Sequence, residues 1–148
     1  MSDEYFMDEA ISLAKLSAEC KEVPVGAVIV KDGIVIASAH NMRETNKSAT
    51  AHAELLAIEK ACQVLGGWRL TGCTLYVTLE PCPMCTGAIV NSRIDRVVYG
   101  ASDAAAGCCG TVLDLNAYPF NHAFSVTSGV REAECRELLV DFFRNKRK

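Results

Sequence analysis

His52-Ala53-Glu54 and, further along, Pro81-Cys82-Pro83-Met84-Cys85 are residue types and spacings that could bind a metal and move a proton. Cys82 and Cys85 stand at i and i+3, neighbours on one helical face. At a helix N-terminus the dipole favours their thiolates, the form a metal takes. Two thiolates and a neutral imidazole neutralise a divalent cation and leave a fourth position open. Soft sulfur plus nitrogen in that number points to zinc, and the open position to a catalytic rather than a structural site. Glu54 lies two residues past His52, about 200° around an ideal helix, so the two cannot share one helical face. The ion therefore belongs near the helix end, where His52 reaches it directly and Glu54 reaches the attacking water. A carboxylate there can take a proton from water and return it to a leaving amine, which is the proton traffic of hydrolytic deamination.

Each half of the set has a plainer meaning alone. Cys-x-x-Cys also serves as a redox pair or as half of a structural zinc knuckle, and an isolated His-x-Glu is mostly a surface accident. A knuckle needs a second Cys or His pair, yet His40 and His122 have no ligand spacing to either motif. A redox pair usually opens the helix after a first strand near the N-terminus, whereas this one is mid-chain. The remaining cysteines (Cys20, Cys62, Cys73, Cys108, Cys109, Cys135) are scattered and read as small buried hydrophobes, with the vicinal Cys108-Cys109 pair the best placed for redox chemistry.

The elements that must position these residues follow from periodicity and punctuation. Apolar residues from Asp3 to about Cys20 recur with helical spacing. Val25–Val30 and Ile34–Ala39 read as strands joined through Asp32-Gly33, a hairpin signal. Polar Asn41–Ala49 reads as a loop, and Thr50 as the N-cap of a helix over Ala51–Val64 that ends at Gly66-Gly67. Thr74–Leu79 is a third strand, and Pro83 opens a helix to about Asn91. A short strand Arg96–Tyr99, a functional loop Gly100–Gly110, a helical piece at Val112–Ala117, a strand Ser125–Thr127 and a helix Arg131–Lys146 complete the order. This predicts one domain over 1–148, an α/β fold of three α/β/α layers: a five-stranded mixed sheet with helices on both faces.

Composition sets the outer limits. The chain has 148 residues, 50% hydrophobic and 22% charged, enough for one core of its own. No apolar run approaches the ~18 residues of a membrane span, so no membrane partner is expected. The acidic start, Met1 to Glu9, has no secretory character, so a reducing cytoplasmic location is expected and disulfides are not. The net charge of −3 argues against a polybasic binder, but it is uneven: residues 144–148 hold four basic side chains and no acid, leaving −7 on the other 143. A basic end on an acidic body permits local phosphate contact.

His-x-Glu…Pro-Cys-x-x-Cys is the signature of zinc nucleobase deaminases. The chain resembles the cytidine-deaminase-like superfamily and, within it, the bacterial tRNA-specific adenosine deaminases, over nearly its whole length. The likeness is strongest at Val23–Val28, Thr50–Glu54 and Leu75–Cys82, and extends through Ser92–Ile94, Phe120–His122 and Asp141–Arg144. The resemblance implies conversion of the wobble adenosine of a tRNA anticodon loop to inosine by a homodimer with one zinc per subunit. It assigns His52, Cys82 and Cys85 as ligands and Glu54 as proton shuttle. It further implies Asn41 for base recognition, Asp103 for the anticodon loop, and Phe143 and Arg144 for an aromatic-basic element beside the RNA. From the residues alone, Asn41 reads as a turn residue, Asp103 as a loop cap, and Phe142 and Phe143 as core. Relatives usually carry Lys or Arg near Asp103, where this chain has Ser102 and Ala104-Ala105-Ala106, so the loop offers fewer phosphate contacts. Two other functions share parts of the signature: a guanine, cytosine or nucleoside deaminase acting on free small molecules, and a non-catalytic zinc-stabilised RNA-binding module.

Overall fold

The computed structural model describes residues 1–146, and its centre is a mixed sheet with side chains buried on both faces. In chain order the elements are α1 (Asp3–Glu19), β1 (Gly26–Lys31), β2 (Ile34–His40), α2 (Arg43–Asn46), α3 (Ala53–Leu65), β3 (Cys73–Leu79), α4 (Pro83–Ser92), β4 (Arg96–Ala101), a 3₁₀ turn Leu115–Ala117, β5 (Ser125–Thr127) and α5 (Glu132–Lys146). The strand order is β2-β1-β3-β4-β5. β1 runs antiparallel to β2 and β3, while β3, β4 and β5 are parallel. The β1–β2 turn uses Asp32 (φ 52°) and Gly33 (φ 76°), the two positive φ values a two-residue hairpin demands.

Alternation along the strands sorts side chains between two cores. Ala27 and Ile29 of β1, Leu75 and Val77 of β3, and Val97 and Tyr99 of β4 face α3 and α4. Val28, Val30, Tyr76 and Val98 face the opposite side, against Phe6, Met7, Ala10 and Ile11 of α1 and Cys135 of α5. The three-layer α/β/α architecture with helices on both faces is thus the one expected. It brings the N-termini of α3 and α4 together beyond the sheet end where β3 stops. Among the described residues no helix is long and apolar enough to cross a membrane.

The differences from the expected elements are local and have identifiable causes. The loop Asn41–Ala49 contains one helical turn, α2, because Glu22 accepts hydrogen bonds from the Glu44 and Thr45 amides (3.1 and 2.6 Å), a cap supplied from twenty residues away. The N-cap position of α3 is His52, not Thr50. The short strand expected at Arg96–Tyr99 continues to Ala101, where it pairs with Leu79, so the functional loop begins at Ser102. Val112–Ala117 forms only the 3₁₀ turn, with Asp114 accepting from the Asn116 amide at 3.0 Å. Cys20 is exposed and Cys62 half-buried, unlike the other four non-motif cysteines, which are buried.

Candidate active site

His52 and Cys82 occupy equivalent places: each is the extended N-cap residue of its helix, at φ −74°, ψ 150° and φ −77°, ψ 176°. Neither side chain caps its own helix, so both are free to turn toward the space between the two N-termini. Cys85 enters from the first turn of α4. The His52 Nδ1 lies 3.6 Å from the Cys82 Sγ and 3.5 Å from the Cys85 Sγ. All three donor atoms fall within 4.8 Å of one another.

The protonation of the cluster shows what it lacks. Hydrogen bonding from the Cys85 thiol, aided by His52, draws Cys82 down to about 4 although burial opposes it. Cys85 is driven up, first by its hydrogen bond to Cys82 and then by burial. His52 is raised by its bond to Cys82. Alone, the cluster therefore keeps one thiolate and one thiol, since two adjacent thiolates repel. A divalent cation is the charge that lets both ionise. Two sulfurs and one imidazole nitrogen, buried or half-buried and mutually in reach, fit zinc with an open fourth position.

Glu54, the second residue of α3, is 4% exposed. Burial pushes its carboxyl up to about 7, against the pull of its own backbone amide and of His52. Glu54 stands beside the donor cluster on the wall of a pocket of about 440 Å³. His52, Cys82, Val23, Val25 and Leu79 line it, with Asn41 and Arg43 from one loop, Ser102–Ala106 from another, and Leu139 and Phe143 from α5.

The other expected residues divide. Asn41 is buried on the pocket wall and also makes a turn, its Oδ1 accepting from the Arg43 amide at 3.3 Å and its Nδ2 donating to the Val23 carbonyl at 3.4 Å. Asp103 lines the pocket and caps its loop, with Oδ1 accepting from the Ala105 and Ala106 amides (3.0 and 3.2 Å). Phe143 lines the pocket mouth and is 43% exposed; Phe142 is half-buried, so neither is a core residue. Arg144 does not line this pocket; it lines an adjoining one with Leu139, Val140 and Phe143, and lies 3.6 Å from Asp141. Arg147 and Lys148 of the basic end lie outside the described residues. Cys108 and Cys109 are both buried free thiols, one sulfur directed toward the Ala106 carbonyl and the other toward Thr86.

Sequence reasoning missed two buried acids. Glu22 is 1% exposed and holds α2 through Glu44 and Thr45. Burial raises its carboxyl, but the bonds from Thr45 and Glu44 outweigh this and hold it below its usual range. Glu80, 2% exposed, binds the loop that follows β4. The available signal was an acid at the end of an apolar strand, beside a metal-ligand motif.

An α/β/α sandwich with this donor set and a buried carboxylate at one pocket defines the class of zinc-binding deaminases. The family described as cytidine and deoxycytidylate deaminase zinc-binding region matches residues 1–101. The tRNA-specific adenosine deaminase of Bacillus subtilis (strain 168) is 56% identical over 99% of this chain and 91% of its own length. A solved structure from work on A-to-I editing by tRNA:A34 deaminases at the wobble position superposes with TM-score 0.89 at 45% identity, covering 91% of this chain and 99% of that one. A guanine deaminase from Bacillus subtilis is 48% identical with TM-score 0.67, covering 69% of this chain and 66% of that one. The chain belongs to the cytidine and deoxycytidylate deaminase family and, within it, to the tRNA-specific adenosine deaminases.

Proposed function

We propose that this protein hydrolyses the exocyclic amine of the wobble adenosine in a tRNA anticodon, leaving inosine, and that residues 1–148 act as one catalytic unit. The observation that carries the chemistry is the clustering of His52, Cys82 and Cys85 beside a pocket that His52, Cys82 and buried Glu54 line. The choice of tRNA adenosine over free guanine rests on identity sustained along the chain: 56% and 45% over 99% and 91% of it for the former, against 48% over only 69% or 22% over 95% for guanine deaminases.

His52, Cys82 and Cys85 would hold the zinc, which supplies Lewis-acid acidification of water when bound. Glu54 takes a proton from the attacking water at its carboxylate and delivers it to the departing amine. One water is consumed and one ammonia released, with no change of oxidation state. Buried beside the cluster and lining the pocket, the Glu54 carboxyl is placed to serve both transfers. The base must leave its stack to enter, and an anticodon loop presents it at little unstacking cost. Asn41 bonds the base edge by giving up its two long turn contacts. Asp103 and Phe143 meet the flanking nucleotides, the second by stacking, with Arg144 contributing charge from outside.

The active form is proposed to be a cytoplasmic homodimer with one zinc per subunit. The exposed apolar residues Val112, Leu113, Tyr118 and Phe120, close together in the chain, are those a second copy could cover. Sedimentation of the purified protein tests this, and a monomer at micromolar concentration overturns it. Function is tested by incubating the zinc-loaded protein with an anticodon stem-loop carrying A34, then analysing the nucleosides. Inosine only at position 34 is expected. Release of ammonia from free guanine or cytosine, with the stem-loop untouched, would decide for the small-molecule alternative.

A further inference from the structure

We propose that Glu80 is a positioning residue whose buried carboxylate is the peg around which residues 102–111 fold, so that it sets the Ser102–Ala106 wall of the pocket and thereby substrate affinity. The inference rests on the reaction proposed above. Glu80 follows the last residue of β3, and its amide is held by the Ala101 carbonyl at 2.9 Å, so its origin is fixed by the sheet. Both oxygens are directed at the loop. Oε1 accepts from the Asp103 amide at 3.1 Å and from the Thr111 hydroxyl; Oε2 accepts from the Cys109 and Thr111 amides at 2.9 and 3.1 Å. A single carboxylate thus binds the loop at its first, middle and last parts. Beside it, the Cys108 amide donates to the Pro81 carbonyl at 2.9 Å, fastening the same loop next to Cys82.

Gly107 provides independent support. Its φ is not in the left-handed region, so glycine is not required there for backbone conformation. It is required for space: a Cβ on Gly107 would overlap the Glu80 carboxyl and crowd the Asp103 carbonyl. The loop closes directly onto the peg, with the Gly107 amide bonded to the Asp103 carbonyl at 2.9 Å. What the peg holds in place is the Ser102–Ala106 lining of the pocket. Glutamine cannot replace it. Three of the four donors are backbone N–H groups that cannot reverse, so whichever way the amide turns, its NH₂ meets at least one of them.

The test uses zinc-loaded Glu80→Gln and, as a route that leaves Glu80 intact, Gly107→Ala. Hydrogen exchange of the 102–111 segment should rise about tenfold or more, while β1 and β3 stay protected. Zinc should remain near one per chain. KM for the A34 stem-loop should rise about tenfold with kcat within about threefold, the split expected when the pocket wall is displaced and the proton chemistry is not. Unchanged exchange and KM in the folded, zinc-loaded variants would overturn the proposal. So would loss of zinc, or a fall confined to kcat, since either would give Glu80 to the metal chemistry. If Glu80→Gln does not fold, Gly107→Ala decides. If the unaltered protein leaves the stem-loop untouched, the proposed reaction fails, while hydrogen exchange still decides the role of Glu80.

Discussion

Up to Ala101 the chain builds the core: β1, β3 and β4 bury both faces, even though Ile34, Val64 and Trp68 are exposed at its margins, and the three candidate metal donors and Glu54 rise from helices packed on that sheet. Beyond Ala101 the pattern changes. The buried hydrophobic residues there are Cys108, Cys109, Phe124 and Cys135, while Val112, Tyr118, Phe120, Val140 and Phe143 are exposed. Yet this second part supplies Ser102–Ala106, Leu139 and Phe143 to the pocket. Reacting groups must be held within fractions of an ångström and sit where packing is densest. Groups that meet a large, variable substrate sit on the less buried segment, where sequence can change at little cost to stability. In the proposed reaction the first part would thus serve chemistry common to the class and, through Asn41, the base edge, while the second would meet the flanking nucleotides.

Damage to the first part should remove activity toward every substrate alike. Stripping zinc with a chelator should abolish deamination, lower the melting temperature, and be reversed by adding zinc back. Glu54→Gln should keep the metal and lose about 10⁴-fold in kcat/KM. Inosine formation and zinc content measured on one preparation check both; a variant within tenfold of full activity would remove Glu54 from the proton path. Damage to the second part should act on affinity. Phe143→Ala should raise KM for the stem-loop about tenfold by loss of a stacking partner, with kcat within about twofold. Because Phe143 is exposed, its melting temperature should not move; a drop of several degrees would make the residue a packing element instead.

This contrast also explains what could be read in advance. The three layers, the five strands and the metal cluster were legible because they rest on period-2 alternation, Asp-Gly and Pro punctuation, and two fixed spacings. The ~200° separation of His52 and Glu54 was resolved by placing His52 at the N-cap, outside the helical turn that carries Glu54. Glu22 left no local pattern, and the strand-end position of Glu80 beside the metal motif did not reveal its role, because each acts on amides about twenty to thirty residues away through backbone contacts. Reading Phe142 and Phe143 as core failed for a related reason. Helical periodicity gives a face, but α5 packs on the sheet chiefly through Cys135, with Leu138 at its margin, and leaves its last turns near the surface.

A change on the face away from the pocket should affect stability without touching either role. The Asp3 carboxylate accepts from both Arg96 Nη atoms (2.9 and 2.7 Å) and from the Tyr76 hydroxyl (2.9 Å), tying α1 to β3 and β4. The Arg96 hydrogen bond, opposed by burial, lowers its pKa below the ordinary 3.8. A carboxyl lowered by folding contributes stability that is present above its unfolded pKa and lost as pH falls through its folded one. Asp3→Asn should therefore cost about 1–2 kcal/mol near pH 7 and flatten the loss of stability below about pH 4. Urea midpoints across pH, with kcat/KM unchanged, check it; an unaltered acid limb would show that other carboxylates govern acid unfolding.

The smallest effect is expected at Arg144, and it separates two ways in which the second part could recognise RNA. Its side chain is 64% exposed, lies beside Asp141 and does not line the pocket that holds Glu54, although it shares an adjoining one with Phe143. An exposed charge of this kind acts through the phosphate field and is screened beyond about 8 Å at physiological ionic strength. Arg144→Ala should therefore raise KM by no more than about threefold and reduce the slope of log affinity against log salt by about one, leaving kcat and melting temperature unchanged. A KM loss equal to that of Phe143→Ala and independent of salt would mean that Arg144 swings in to stack on a base, and recognition by the second part would then come from two stacked side chains instead of one.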